Sequence, residues 1–319
     1  MARKHQPSDL RLLSKVSRLY YEQNLRQSEI SERLRLSRPK VSRLLQRALE
    51  EGVVKITVHS PPGVYAELED RLERFFQLQE VVIVDVTDPD SQDSVSYELG
   101  VAAASYFQNT IQDKDIIGLA WGSTLSSLVG ALQFMDVKDT HVVQMIGGLG
   151  MPESEVHATS LVRRLTLMLN SKLTLLNAPG IIDNIDVKDV ILSASYMQDV
   201  LHLFSKINVA YVGIGAPTGD SVMMKDGAIM SQADLDALLQ KGAVGDIALR
   251  FFDIDGQPVI TDLDSRVIGI SLDQLKKIPR VVGVAGGPQK HQVVRGALKG
   301  GFIDVLITDE QTARFVLGI

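Results

Sequence analysis

The residues best suited to recognising nucleic acid concentrate between Ser37 and Arg47. On a helical wheel Pro39, Ser42, Arg43, Gln46 and Arg47 share one face, with Arg38 and Lys40 at its N-terminal end and Ser37 as the N-cap. Arginine can bond guanine edges bidentately, glutamine can read adenine, and serine or lysine can hold phosphates, so that face suits a major groove. A second set is scattered along the chain. Trp121-Gly122-Ser123-Thr124 follows a short apolar run and opens a helical pattern, which offers backbone N–H groups and two hydroxyls to an anion. A plain strand-to-helix turn, capped by Ser123 or Thr124, explains the same residues. Asp246, beside Gly245, can accept sugar hydroxyls, and Lys290, close behind Gly286-Gly287, can pair with phosphate. Either charge read singly is as consistent with a solvated loop.

These residues need elements to place them. Leu12, Leu13, Val16, Leu19 and Tyr20 recur at helical spacing, predicting a helix over 9–23, and a shorter one follows over 27–34. Arg35-Leu36-Ser37 then turns the chain into a third helix, with Pro39 in its first turn and Val41, Leu44, Leu45, Ala48 and Leu49 as its apolar stripe. Val53 to Val58 is β-branched and predicts a wing strand. Helix, helix, helix, strand is the order of a winged helix-turn-helix.

Ser60-Pro61-Pro62-Gly63 breaks the pattern and divides the chain into a domain of residues 1–60 and another of 61–319. A charged helix over 65–76 carries Leu68, Leu72 and Phe75 as a short stripe, which predicts packing on its own domain. Apolar runs at 81–86, 116–119, 142–146, 173–176, 209–212, 280–284 and 305–307 read as buried strands. Helical patterns at 95–111, 124–134 and 157–169 lie between them. The fold class expected is α/β, a mostly parallel Rossmann-like sheet with ligands at the strand C-termini.

Bulk composition narrows the function. The net charge of −6 averages two unlike regions: residues 1–58 hold 13 Lys and Arg against 6 Asp and Glu, while the remainder is acidic. A polyanion partner for the N-terminal segment alone follows from that asymmetry. Cysteine is absent and the six histidines occur singly, which argues against a metal site. Gly213-Ile-Gly-Ala-Pro-Thr-Gly219 has its third glycine one position late for a dinucleotide fingerprint, and no phosphate-loop motif of a nucleotide triphosphatase is present. No cofactor is expected. With no apolar run of membrane length and no signal-peptide core, a cytoplasmic location is the expectation.

The stretches Leu19-Tyr-Tyr-Glu-Gln23, Gln27-Ser-Glu-Ile-Ser-Glu-Arg-Leu34 and Ser37-Arg-Pro-Lys-Val-Ser-Arg-Leu-Leu45 resemble the SorC family of sugar-responsive regulators. Trp121-Gly-Ser-Thr, Gln144 with Gly147-Gly148, Val244-Gly-Asp-Ile and Ala285-Gly-Gly through Lys290 are similar in type and order to the effector domains of that family. The resemblance spans almost the whole chain. It implies an effector domain related to sugar-phosphate isomerases and deaminases, binding a sugar or its phosphate, in a tetramer that binds operator DNA. The effector residues it implies are Gly122, Ser123, Thr124, Gln144, Gly147, Gly148, Asp246 and Lys290. Some relatives carry lysine directly before the paired glycines; here that position is Ile146, so no imine can form there. An enzyme carrying a DNA-binding module stays open at this stage. Its candidate groups are Glu155 and His157 near the paired glycines and His291 beside Lys290, none at a distinctive His-carboxylate spacing.

Overall fold

A computed structural model describes residues 7–56, 65–148, 158–219, 222–225 and 230–319. The chain divides into two compact units, Met1–Pro61 and Pro62–Ile319.

In the first unit α1 (Pro7–Ser17) runs on through a π-helical turn, Arg18–Glu22. After it come α2 (Gln27–Leu34) and α3 (Arg38–Glu50). Leu13, Val16, Leu19, Ile30, Val41, Leu44, Leu45 and Ala48 interlock as its core. The turn between α2 and α3 places Arg35 in the left-handed region, and the Leu36 N–H returns to Ser31 O at 3.0 Å. Two predicted details need correcting. Leu49, assigned to the apolar stripe, is 40% exposed. Val53–Ile56 forms no strand: the Val54 N–H is taken by Ala48 O at 2.9 Å, which ties the segment back to the end of α3. Thr57 and Val58 lie outside the described residues.

Among the described residues the second unit is built on seven parallel strands: β1 (Glu80–Val84), β2 (Ile116–Leu119), β3 (His141–Gln144), β4 (Lys172–Thr174), β5 (Val209–Gly213), β8 (Arg280–Val284) and β9 (Val305–Asp309). A separate antiparallel hairpin, β6 (Gly245–Ile247) and β7 (Arg250–Phe252), interrupts the passage from β5 to β8. The sheet order is β1-β9-β8-β5-β2-β3-β4. From β2 the chain therefore builds outward through β3 and β4, then returns to β2's other side and builds the opposite way through β5, β8 and β9. That reversal between β2 and β5 is a topological switch point, where a crevice opens beyond the strand C-termini. Valine, isoleucine and leucine fill these strands because the inner ones are covered on both faces.

The helix α4 (Ala66–Phe76) packs Leu68 and Leu72 into this core. Phe75, expected in the same stripe, is 70% exposed, because its position turns away from the sheet. Two further helices shape the crevice: α5 (Gln92–Thr110) and α6 (Ser123–Ala131). They cross at Gly100, where an added Cβ would lie 2.4 Å from Ser127 Cβ and 2.7 Å from Thr124 O. Gly100→Ala should gain about 1 kcal/mol of helix propensity yet lose about 1 to 3 kcal/mol to overpacking, a net lowering of the urea midpoint. An unchanged or raised midpoint would show that the two helices do not meet this closely.

Candidate effector cleft and DNA-reading helix

On α3 the core residues face inward, and Arg38, Pro39, Lys40, Ser42, Arg43 and Gln46 are all exposed, as is the cap residue Ser37. Arg43 Nε donates to Pro39 O at 3.3 Å, and Gln46 Nε2 to Glu50 Oε1 at 2.9 Å, weak tethers along the solvent face. Arg47 is half-buried and paired with Glu51 at 2.9 Å, so its fork is partly committed within the helix. The first turn of α3 carries Pro39, whose missing N–H costs nothing there, and no acidic residue. The arrangement leaves a cationic helix end and a polar face open to a groove and its phosphates.

The second unit holds a cleft of about 390 Å³ at the switch point. Three strand ends supply its floor: β2 leads to Trp121–Leu125, β5 to Gly213–Ala216, and β8 to Ala285, Gly286, Gln289 and Lys290. At the end of β2, Gly122 is the N-cap of α6, with φ 128°, a conformation open to glycine and strained for other residues. Glycine supplies no side-chain cap, so the first-turn N–H groups of α6 have no capping side chain among the described residues. With the Ser123 and Thr124 hydroxyls beside them, these donors and the positive end of the helix have the chemistry to hold an anion.

Asp246 approaches the same cleft from β6. Its backbone exchanges two 2.9 Å hydrogen bonds with Gly215, and an added Cβ at Gly215 would sit 2.0 Å from Asp246 Oδ1. Only glycine admits the carboxylate. Oδ2 accepts the Leu249 N–H at 3.1 Å, whereas Oδ1 is buried without a partner. The residue is 4% exposed, and burial pushes its pKa up to about 6, opposed by the nearby Lys290 cation and the Leu249 N–H. The hairpin that presents it turns through Ala248 and Leu249, both at positive φ, a type I′ geometry normally given to glycine or asparagine. Lys290 caps the helix His291–Lys299 and lines the cleft.

Of the eight effector residues implied by the sequence, Gly122, Ser123, Thr124, Asp246 and Lys290 meet in this cleft. Gln144, Gly147 and Gly148 do not line it. The turn after β3 lies on the far side of β2 from β5, away from the switch point. There Gln144 is fully buried, its Nε2 donating to Ile146 O at 2.7 Å and its Oε1 accepting Thr159 Oγ1 at 3.4 Å. Gly147 and Gly148 bond the backbone of Ile268 and Ala178. Of the groups considered for an enzyme, Glu155 and His157 lie outside the described residues. His291 stacks on Phe315 at 4.7 Å, away from the cleft lining, and burial lowers its pKa.

The sequence reading also missed contributors. Gln92 and Ser96 come from the first turns of α5, and Gly215 and Ala216 from the glycine run set aside as a failed dinucleotide fingerprint. That run marks the end of β5, beside β2, and its position rather than its motif was the available signal.

Comparison with known proteins agrees with both halves. A winged helix-turn-helix DNA-binding family matches residues 10–55, and a family described as "Putative sugar-binding domain" matches residues 61–318. The chain is 33% identical over 299 residues to the deoxyribonucleoside regulator of Bacillus subtilis, covering 94% of this chain and 95% of that one. It is 34% identical over 310 residues to the transcriptional regulator LsrR of Escherichia coli, covering 96% and 94%. The full-length crystal structure of the sorbitol operon regulator SorC from Klebsiella pneumoniae superposes with a TM-score of 0.73 at 30% identity, covering 97% of this chain and 99% of that one. All three relatives are regulators by name. By sequence, family domains and fold, the chain belongs to the SorC/DeoR family of DNA-binding transcriptional regulators with a sugar-binding effector domain.

Proposed function

We propose that residues 61–319 bind a phosphorylated sugar in the switch-point cleft, and that this binding sets the affinity of the domain formed by residues 1–60 for operator DNA. The observation that carries the reading is the pairing, in one cleft, of an anion site without a side-chain cap at Gly122–Thr124 and a buried carboxylate oxygen lacking a donor at Asp246. A phosphate satisfies the first and a sugar hydroxyl the second, with Lys290 adding cationic charge on the rim. Gln144, Gly147 and Gly148 are assigned to shaping the neighbouring turn rather than to ligand contact. The chain acts in the cytoplasm, where its operator is, and as a homotetramer that presents paired α3 helices to repeated half-sites. Coupling requires the sugar phosphate to bind one arrangement of subunits more tightly than the other; a hundredfold difference, about 2.7 kcal/mol, shifts operator occupancy substantially.

Arg43→Ala should weaken operator binding by about 1 to 3 kcal/mol if Arg43 reads a base, while Lys40→Ala should reduce the slope of log affinity against log salt by about 1. Gel-shift titrations at several salt concentrations measure both, and wild-type affinity in Arg43→Ala would remove α3 as the reader.

Thr124→Val and Asp246→Asn should each abolish the response of operator binding to the sugar phosphate while leaving ligand-free operator affinity within about twofold. A full response in both variants would place the ligand elsewhere.

The carboxyl of Asp246 also predicts a pH dependence. With a folded pKa near 6 and a lower unfolded value, the native state holds a proton that the unfolded chain has lost, so this group's contribution to stability falls as pH rises from about 4 through 6. A hydroxyl donor favours the ionised carboxylate, so effector affinity should rise over the same window. Because a phosphate group also titrates near pH 6, the quantity to measure by calorimetry is the wild-type profile minus that of Asp246→Asn. Identical profiles would mean that Asp246 does not contact the ligand.

A further inference from the structure

Asp246 is not the sole buried acceptor in the cleft without a donor. Gln92, at the first position of α5, has its Oε1 shielded from solvent with no hydrogen-bond partner in the described chain. The orientation of its amide is fixed by chemistry. Nε2 donates to Gly286 O at 2.9 Å, an oxygen that can only accept, and lies 3.3 Å from Ser96 Oγ. Turning the amide over would set two acceptors against each other, so the oxygen is the atom left without a donor.

The neighbouring backbone cannot supply that donor. Gly287 has a positive φ and no Cβ, and an added Cβ would fall 2.6 Å from Gln92 Oε1, so the amide rests directly on this turn. The N–H of Gly287 is already engaged by Asp309 Oδ2 at 2.7 Å, where β9 ends, and Thr312 Oγ1 at 3.0 Å, in the first turn of the helix after it, both residues buried. The Asp309 carboxylate is itself held by the Thr312 N–H and hydroxyl. This second network fixes the Gly286-Gly287 turn, the turn fixes the amide, and Oε1 remains a placed acceptor with nothing among the described residues to bond it.

We propose that Gln92 reads a second hydroxyl of the ligand, its Oε1 accepting a hydrogen bond from one ligand hydroxyl while Asp246 Oδ1 accepts from another. The inference rests on the sugar-phosphate reading of the cleft and narrows it. The ligand class is a phosphorylated polyol or sugar with at least two free hydroxyls besides the phosphate, set so that both acceptors are satisfied together. A ligand with a single hydroxyl leaves one buried acceptor unpaired, and a site built to bond a hydroxyl rejects the analogue lacking it far more strongly than an apolar pocket rejects a missing methylene.

The test is calorimetric titration of the full-length protein with inorganic phosphate, glycerol 3-phosphate, ribose 5-phosphate, 2-deoxyribose 5-phosphate, fructose 6-phosphate, glucose 6-phosphate and sorbitol 6-phosphate. Monodeoxy analogues of the tightest binder follow. Gln92→Leu and Gln92→Met should weaken that binder roughly tenfold or more while binding inorganic phosphate as the wild type does, which also shows that the fold and the anion site survive. One monodeoxy analogue should bind wild type and Gln92→Leu with equal affinity, because it lacks the hydroxyl that Gln92 reads; the others should still lose affinity in the variant. Wild-type affinity of the tightest binder in both variants, or an equal loss for every analogue, would overturn the role of Gln92 while leaving the sugar-phosphate site standing. Failure of the wild-type protein to bind any of the phosphates would overturn the site and the role together.

Discussion

A parallel sheet that grows in both directions from its middle cannot close its own centre. Each strand in such a sheet is followed by a helix that packs on one face. Where growth reverses, between β2 and β5, successive connections depart to opposite sides and leave a gap above the strand ends. The rest of the effector domain is organised around that gap. α6 begins there because β2 ends there, and the start of α5 is held beside it by the close crossing at Gly100. The hairpin β6–β7, inserted between β5 and β8, reaches back to pair Asp246 with Gly215 on the strand end opposite.

The cleft is held in a conformation that costs stability. Two non-glycine residues at positive φ, Ala248 and Leu249, cost of order 1 to 3 kcal/mol each, and a buried carboxylate with one oxygen unpaired adds a desolvation penalty. The compensation is visible in the packing. Leu249 is fully buried, its N–H bonds the Asp246 carboxylate, and Phe251 and Phe252 on the returning strand sink into the core. Strain is thereby spread over a well-packed hairpin, and Asp246, whose Oδ1 is left unsatisfied, lines the cleft.

Most of the architecture was legible because it follows from periodicity. The alternation of buried strands with amphipathic helices located β2 and β8 to the residue, and α2 likewise. Misreadings fell where tertiary context outweighs local pattern. Phe75 continues the spacing of Leu68 and Leu72 yet faces solvent, and Val53–Ile56 has strand-like residues but gives an amide back to α3. The cleft was half legible for a related reason. Glycines and hydroxyls after a strand announce a turn, but whether the turn borders the crevice depends on strand order, which the sequence does not print. Gln144 with Gly147-Gly148 and Gly213-Ile-Gly215 look alike as text. Strand order puts the second beside β2 at the switch point and the first beyond it.

The division of labour in the cleft follows from where its unsatisfied groups lie. On the proposed reading, the first-turn amides of α6 bond any small anion, inorganic phosphate included, and so supply affinity with little discrimination. On the same reading, discrimination comes from the buried acceptors, which penalise an incomplete ligand more than they reward a complete one, since an acceptor left dry forfeits its hydration without recovering a bond. Abundant free phosphate would hold such a regulator permanently in one state if the anion site alone governed it. On the proposed reading, the buried and unpaired Oδ1 of Asp246 makes the bound state conditional on a carbohydrate hydroxyl, and that condition is what a sugar-responsive switch requires.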